Sequence, residues 1–464
     1  MELGFVLFVK ILIEVIMIVA IAKRAKTLFG RGWAMGVSYL FIAGLTISAL
    51  DSAMIVFYSD STITTWSTIS QLMRGASIVA IWELVASLSF LHFMRAENPK
   101  VERLVRSIYS KRGITFISVY SLIVLFIMMI FRLGFFKLGF TAIVQNIEGS
   151  NASWNTLFMD MPARIWLFPL GLLLIRAASK QDILKRWLVY GVVAVLTAFI
   201  TISFWTLGAR GTVVSVTAFF FFVFIALDFR RGSLILLAGV IVIALVFMIP
   251  TSNYRLVENL GSQNIFDRVR GLQSSTQNTS TWKSLRDGID YVVHRDSPAD
   301  PGVFAEWVEK NSAYVGIKPL IGSSLGLVPR SIWPDKPSVG SSSSSYLDKP
   351  EYITGRIMGQ PRVTKGTSPG VNSFWIAWYP GIVLFAMIAG WFAALVLRIG
   401  NIELSLGLLL LTITMAWGGT FLTMGIERLL TMISQAMIPA TVVLLVLGYS
   451  STNKRAGLSG TPFP

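Results

Sequence analysis

Residues 3–22, LGFVLFVKILIEVIMIVAIA, carry only two charges, Lys10 and Glu14, and are followed by Lys23, Arg24, Lys26 and Arg31. Wound as a helix at about 1.5 Å per residue, an apolar run of about 20 residues spans the hydrocarbon core of a bilayer. Basic residues just past such a run mark its cytoplasmic end. The same pairing recurs down the chain. Windows of about 19 residues give about eleven spans, at 3–22, 33–57, 74–94, 114–131, 163–178, 187–207, 211–227, 233–250, 371–397, 402–423 and 429–449. Lys100, Arg103, Arg106 and Lys111 follow the third span, Arg176, Lys180, Lys185 and Arg186 the fifth, and Arg230 and Arg231 the seventh. Arg398 follows the ninth span, and Lys454 and Arg455 the last. The short connections between these basic ones are nearly free of lysine and arginine. The alternation predicts an external N-terminus and a cytoplasmic C-terminus.

Composition supports this reading. Apolar residues make up 54% of the chain and charged ones 14%, more apolar surface than a soluble chain of this length can bury. The formal net charge of +16 first suggests nucleic acid, but the alternating basic loops account for about half of the basic residues, and no nucleic-acid partner is expected. With no cysteine and only His92 and His294, disulfides and cysteine or histidine-rich metal sites are not expected. The start MELGFVLF lacks a basic n-region, so no cleavable signal peptide is expected. The expected fold is an all-α polytopic membrane protein with one large external loop. Residues 1–250 carry eight spans, 251–370 the loop with short helices, 371–450 three further spans, and 451–464 a cytoplasmic tail.

The loop is too long to be a structureless connection, so it is expected to fold against the membrane. DPGVFAEWVEKNSAYV reads as a helix with Asp300 as N-cap and Pro301 at the first helical position. Residues 319–337, PLIGSSLGLVPRSIWPDKP, place Arg330, Trp333 and Lys336 among prolines, which fix the backbone and hold the cations in place. Gly322–Gly326 matches G-x-S-x-G, but both histidines precede Ser324 and no strand–turn–helix context is expected, so a small-residue turn is the better reading. No P-loop, H-E-x-x-H or D-x-D pattern is present.

Arginine is the residue that recurs at expected external ends. Arg210 lies in a tight turn between Gly208 and Gly211, Arg428 follows Glu427 in GIER, and Arg74 opens the third span. Guanidinium is always charged and grips phosphate oxygens in a fork, so such arginines are candidate diphosphate ligands; snorkelling to lipid headgroups is the plainer alternative. Within spans, Asp51 and Glu83 have arginines as candidate partners, whereas Lys10 and Glu14, four apart, can pair with each other. No helix pair broken by glycine or proline is expected in matching halves, which weighs against a transporter. Candidate general bases are His294, Glu306, Glu427, Glu258 and Glu309, and spacing does not choose among them. Trp333, Trp375, Trp378 and Tyr379 are candidates for stacking on sugars, with interface anchoring the alternative for the last three.

The turn GARG at Gly208–Gly211, the segment LVPRSIWPDKP at Leu327–Pro337 and GTSPG at Gly366–Gly370, leading into FWIAWYPGIVL, are together similar to Wzy-type O-antigen polymerases. The resemblance covers the architecture of the whole chain and only these motifs at residue level. It implies a glycosyltransferase of C-type helical membrane fold in the bacterial inner membrane, acting without a cofactor or metal. Its substrates would be undecaprenyl-diphosphate-linked glycans, with a polysaccharide chain-length regulator as possible partner. Arg210, Arg330, Arg428, Arg74 and Lys336 are the expected diphosphate-binding residues and Trp333 the expected glycan contact. O-antigen ligases share the architecture, and a lipid-linked oligosaccharide flippase is the non-enzymatic alternative.

Overall fold

The computed structural model describes residues 2–29, 33–57, 68–94, 99–132, 165–178, 183–205, 299–325, 368–418 and 425–458, with single positions at 216, 219, 223, 328, 332, 333 and 422. Helix dominates these residues. In chain order the helices are α1 (Glu2–Phe29), α2 (Trp33–Phe57), α3 (Ile69–Phe93), α4 (Pro99–Ile108), α5 (Lys111–Arg132), α6 (Leu167–Ala178), α7 (Ile183–Trp205), α8 (Ala299–Lys310), α9 (Lys318–Ser324), α10 (Pro369–Ile402), α11 (Leu404–Gly418), α12 (Ile426–Met432) and α13 (Ile438–Leu458), with a π-turn at Ile433–Met437.

Four helical runs are long and apolar enough to cross a membrane: Leu3–Leu28, Ile69–Phe93, Pro369–Ile402 and Ile426–Gly448. A fifth arises if α4 and α5, bent by 64°, count as one. The expected count of eleven is therefore not reached among the described residues. Four shorter apolar helices, including Leu167–Ala177 and Leu404–Ala416, fall at further expected spans. Of the expected span at 211–227 only residues 216, 219 and 223 are described, and the span at 233–250 and most of the expected loop lie outside the described residues. Large apolar side chains remain exposed where lipid would cover them, such as Phe5, Phe8, Leu12 and Val19 on α1 and Leu184, Trp187 and Leu188 on α7.

The core is organised around α3, which packs against α1, α8 and α10. Thr68 caps its first turn: its hydroxyl accepts from Gln71 N at 3.2 Å, and Gln71 Oε1 accepts from Thr68 N at 2.8 Å. Further along, Phe90 stacks on Phe41 of α2 with centroids 4.6 Å apart, and Ser89 Oγ donates to Met387 O of α10 at 2.7 Å. The Trp82 indole, buried at mid-helix, donates to Leu422 O at 3.1 Å, so its one polar atom is satisfied.

α10 departs from the sequence expectation of one continuous span. Ala377 and Trp378 have non-helical backbone, with φ 56° and ψ −152° at Trp378. The chain doubles back there. A Cβ on Gly381 would lie 2.5 Å from Ser373 O, whereas eight residues of continuous helix separate such atoms by about 12 Å. Gly370 accordingly sits against Ile78 and Trp82, well inside α3, while Trp375 reaches the turn after α8. Pro380 has no N–H for Ile376 O, and the break frees the carbonyl of Trp375, which accepts from Val315 N at 3.2 Å. One proline-broken helix thus stands where a continuous span at 371–397 was expected.

The π-turn has a similar cause. Pro439 cannot donate to Gln435 O, and the helix absorbs the lost bond by a wider register in which Ile438 N–H bonds Ile433 O.

Candidate functional site

Helix α8 lies across the first turns of α3 at backbone contact. A Cβ on Gly302 would stand 1.7 Å from Gln71 O, so only glycine permits the crossing. The helix begins at Ala299, one residue before the expected N-cap Asp300. This crossing turns Glu306 and Glu309 towards α3, one face serving both as their spacing predicts. Glu309 pairs with Arg74 at 2.5 Å, with each side chain 31% exposed. Glu306 pairs with Lys310.

The hydrogen bond from Lys310, a second from Gln71, and the Lys310 and Arg74 charges hold the Glu306 carboxyl below the ordinary glutamate value, although burial opposes them. A carboxylate so held is a poor proton acceptor, which disfavours Glu306 among the candidate bases. Beside them, burial pushes the Tyr314 phenol upward; Glu309 and Tyr379 add to the shift and Arg74 opposes it. Tyr314 is therefore a neutral hydroxyl near the ion pair.

Aromatic side chains wall this cluster. Trp375 donates its indole N–H to Ala313 O at 3.0 Å and packs edge-on against Phe304. It is a packing residue that clamps the α8–α9 turn to α10. Trp378, by contrast, is 51% exposed and meets Tyr379 with centroids 5.4 Å apart. Of the three candidate aromatics in this segment, Trp378 alone presents its ring outward. Trp333 is half-buried.

A second cluster lies where α12 begins. Gly425 is its N-cap residue, and a Cβ there would be 3.9 Å from Pro369 Cα, at the start of α10. Two helix N-termini therefore adjoin, with partial positive charge at each. Arg428 is exposed in the first turn of α12, and Glu427 beside it is half-buried, its backbone carbonyl accepting from Thr431 Oγ1 at 2.9 Å. Asn372 Oδ1, near Gly425, is buried and has no hydrogen-bond partner.

Close by, Gly322–Ser324 end α9 and Leu325 caps it, where a small-residue turn was expected; Gly326 lies outside the described residues. Ser324 Oγ donates to Leu320 O, and Ser323 O accepts from Ser434 Oγ in the π-turn at 3.0 Å. The helical setting removes the nucleophile-elbow geometry, as the sequence reading anticipated.

Arg74, Glu306, Glu427, Arg428 and Trp333 are thus placed. Arg210, Arg330, Lys336 and His294 lie outside the described residues. Sequence reasoning named Arg74 and Glu309 separately and missed that they pair. It also missed Tyr314 and the partner of Glu83, which is Lys10 at 3.6 Å and not an arginine. Among the described residues, no three His, Cys, Asp or Glu side chains gather as a metal site. No protein-family model, no curated protein and no solved structure matches the chain.

Proposed function

We propose that this membrane protein polymerises oligosaccharide repeat units carried on undecaprenyl diphosphate, at the external face of the bacterial inner membrane. The observation that supports this most is the adjoining starts of α10 and α12 with Arg428 in the first turn of the second. Helix N-termini and a guanidinium together favour a multiply charged phosphate. In this reading Arg210, Arg330 and Lys336 join Arg428 around the diphosphate, and Arg74, engaged by Glu309, positions α8 or exchanges partners when substrate arrives.

The reaction transfers the growing glycan to the incoming unit. A hydroxyl oxygen of the acceptor sugar forms a bond to the anomeric carbon of the donor. The bond from that carbon to the lipid diphosphate breaks, its electron pair leaves on the diphosphate, and the hydroxyl proton passes to a base. Glu427, beside Arg428, and His294 are the stronger candidates for that base; Glu306 is the weaker. Charge grows on the leaving oxygen, and preorganised cations there are worth about a hundredfold to a thousandfold each in rate.

The test is purified protein with lipid-linked repeat units, read on a sizing gel in the presence of chelator. A ladder of products supports the reading, and Arg210→Ala, Arg330→Ala and Arg428→Ala should each shorten it. Lysine at these positions restores only part, because it lacks the fork. Unchanged ladders in all three variants would remove the diphosphate site. A second reading, a lipid-linked oligosaccharide transporter, draws on the broken helix α10, since discontinuous helices line substrate sites in transporters. It predicts movement of intact lipid-linked units between leaflets and no ladder.

A further inference from the structure

Three ionisable side chains meet inside the bundle, at the junction of α1, α2 and α3. Lys10 is 2% exposed, Glu14 0% and Glu83 6%. An ammonium group has three N–H donors. Those of Lys10 go to the Glu14 carboxylate, to Ser48 Oγ at 2.8 Å and to Ser52 Oγ at 2.9 Å. Glu83 Oε2 stands 3.6 Å from the same nitrogen, near enough for attraction but without a hydrogen bond. Glu14 Oε2 and Glu83 Oε2 are both buried without a donor, and both carboxyl groups lie against the one Lys10 ammonium. Two ionised carboxylates gathered on one buried ammonium repel each other, and a proton taken up by the pair relieves that repulsion.

The charge balance points the same way. One lysine and two ionised acids leave an uncompensated negative charge in an apolar interior, whereas one added proton makes the cluster neutral. No other described charge faces it. α2 supplies Ser48 and Ser52; the side chain of Asp51 is outside the described residues. On α3, Arg74 and His92 are each nine residues from Glu83, about 14 Å along the helix. α8, which carries Glu306, Glu309 and Lys310, crosses α3 at Gln71 and Gly75, and α10 carries Tyr379 and Arg398.

We propose that Glu14 and Glu83 form a proton-binding site within the membrane, holding one exchangeable proton between them with Lys10 as the fixed counter-ion. Because the acids stand on α1 and α3, the proton joins those helices, and its loss would loosen their junction. The site is independent of the glycosyl-transfer reading.

The test is infrared difference spectroscopy of the protein reconstituted in lipid, at neutral pH. The wild type should show the C=O stretch of one protonated, deuterium-sensitive carboxylic acid. Glu83→Gln and Glu14→Gln should each abolish it, and Lys10→Met should enlarge it, since both acids then take a proton. If a glutamine variant does not fold, Glu83→Asp serves: the band should persist at a shifted frequency. A wild type without the band, or a band unmoved by Glu83→Asp and by the glutamine variants, overturns the proposal. Stabilisation of the wild type by sodium in place of the band would assign the site to a monovalent cation and overturn it equally.

Discussion

Glu306 shows how a single side chain can be read in two ways until its neighbours are known. From sequence it is a plausible base; in the structure Lys310 and Gln71 stabilise its charged form. Its folded value lies below the unperturbed 4.5, so the ion pair contributes stability above that pH and loses it as the pH falls through the folded value. Because Lys310 is exposed to solvent, the contribution is at most about 1 kcal/mol. Melting curves of wild type and Glu306→Gln should therefore differ slightly at neutral pH and converge on acidification; a gap that stays constant with pH would contradict the assignment.

The sequence showed the Lys10–Glu14 pair because four-residue spacing stacks side chains on one helical face. It did not show Glu83 as the third member, because that contact depends on how α1 docks on α3. The Arg74–Glu309 pair escaped for the same reason: its members stand on different helices, and only the glycine crossing at Gly302 brings them together.

At the scale of elements, hydropathy located the apolar helices well and their interruptions poorly. FWIAWYPGIVL reads as an unbroken apolar run, yet Trp378 adopts φ 56° and ψ −152°, a region occupied almost only by glycine. What holds it is tertiary: Val315 N takes the carbonyl of Trp375, and the Trp375 indole takes Ala313 O. Trp378→Gly should relieve strain on the order of 1–3 kcal/mol and raise the melting temperature. In a continuous helix the same change would lower stability by about 1 kcal/mol, so the sign decides between a break and a helix.

The crossing of α8 over α3 gives the opposite expectation. Gly302→Ala places a methyl group into the Gln71 carbonyl, a backbone atom that has little freedom to yield. A loss of about 1–3 kcal/mol is expected, together with earlier proteolysis between α8 and α9. Unchanged melting and cleavage would mean that α8 does not lie against α3 in this way.

For the whole molecule, the repeated apolar runs made a helical membrane protein legible, because burial in lipid imposes length and composition together. The four to five long apolar helices carry that much. The candidate site was legible only as a list of arginines: the meeting of the starts of α10 and α12, with Arg428 in the first turn of the second, depends on tertiary packing, and Arg210 and Arg330 lie outside the described residues. The proposed reaction breaks one bond to the lipid diphosphate for each glycosidic bond it makes. The most direct measurement is therefore the release of undecaprenyl diphosphate by the purified protein in lipid nanodiscs, counted against new glycosidic bonds. The account predicts one released diphosphate per bond, in wild type, and a fall of about a hundredfold in both for Arg428→Ala. Intact lipid-linked units, with neither bond formation nor diphosphate release, would contradict it.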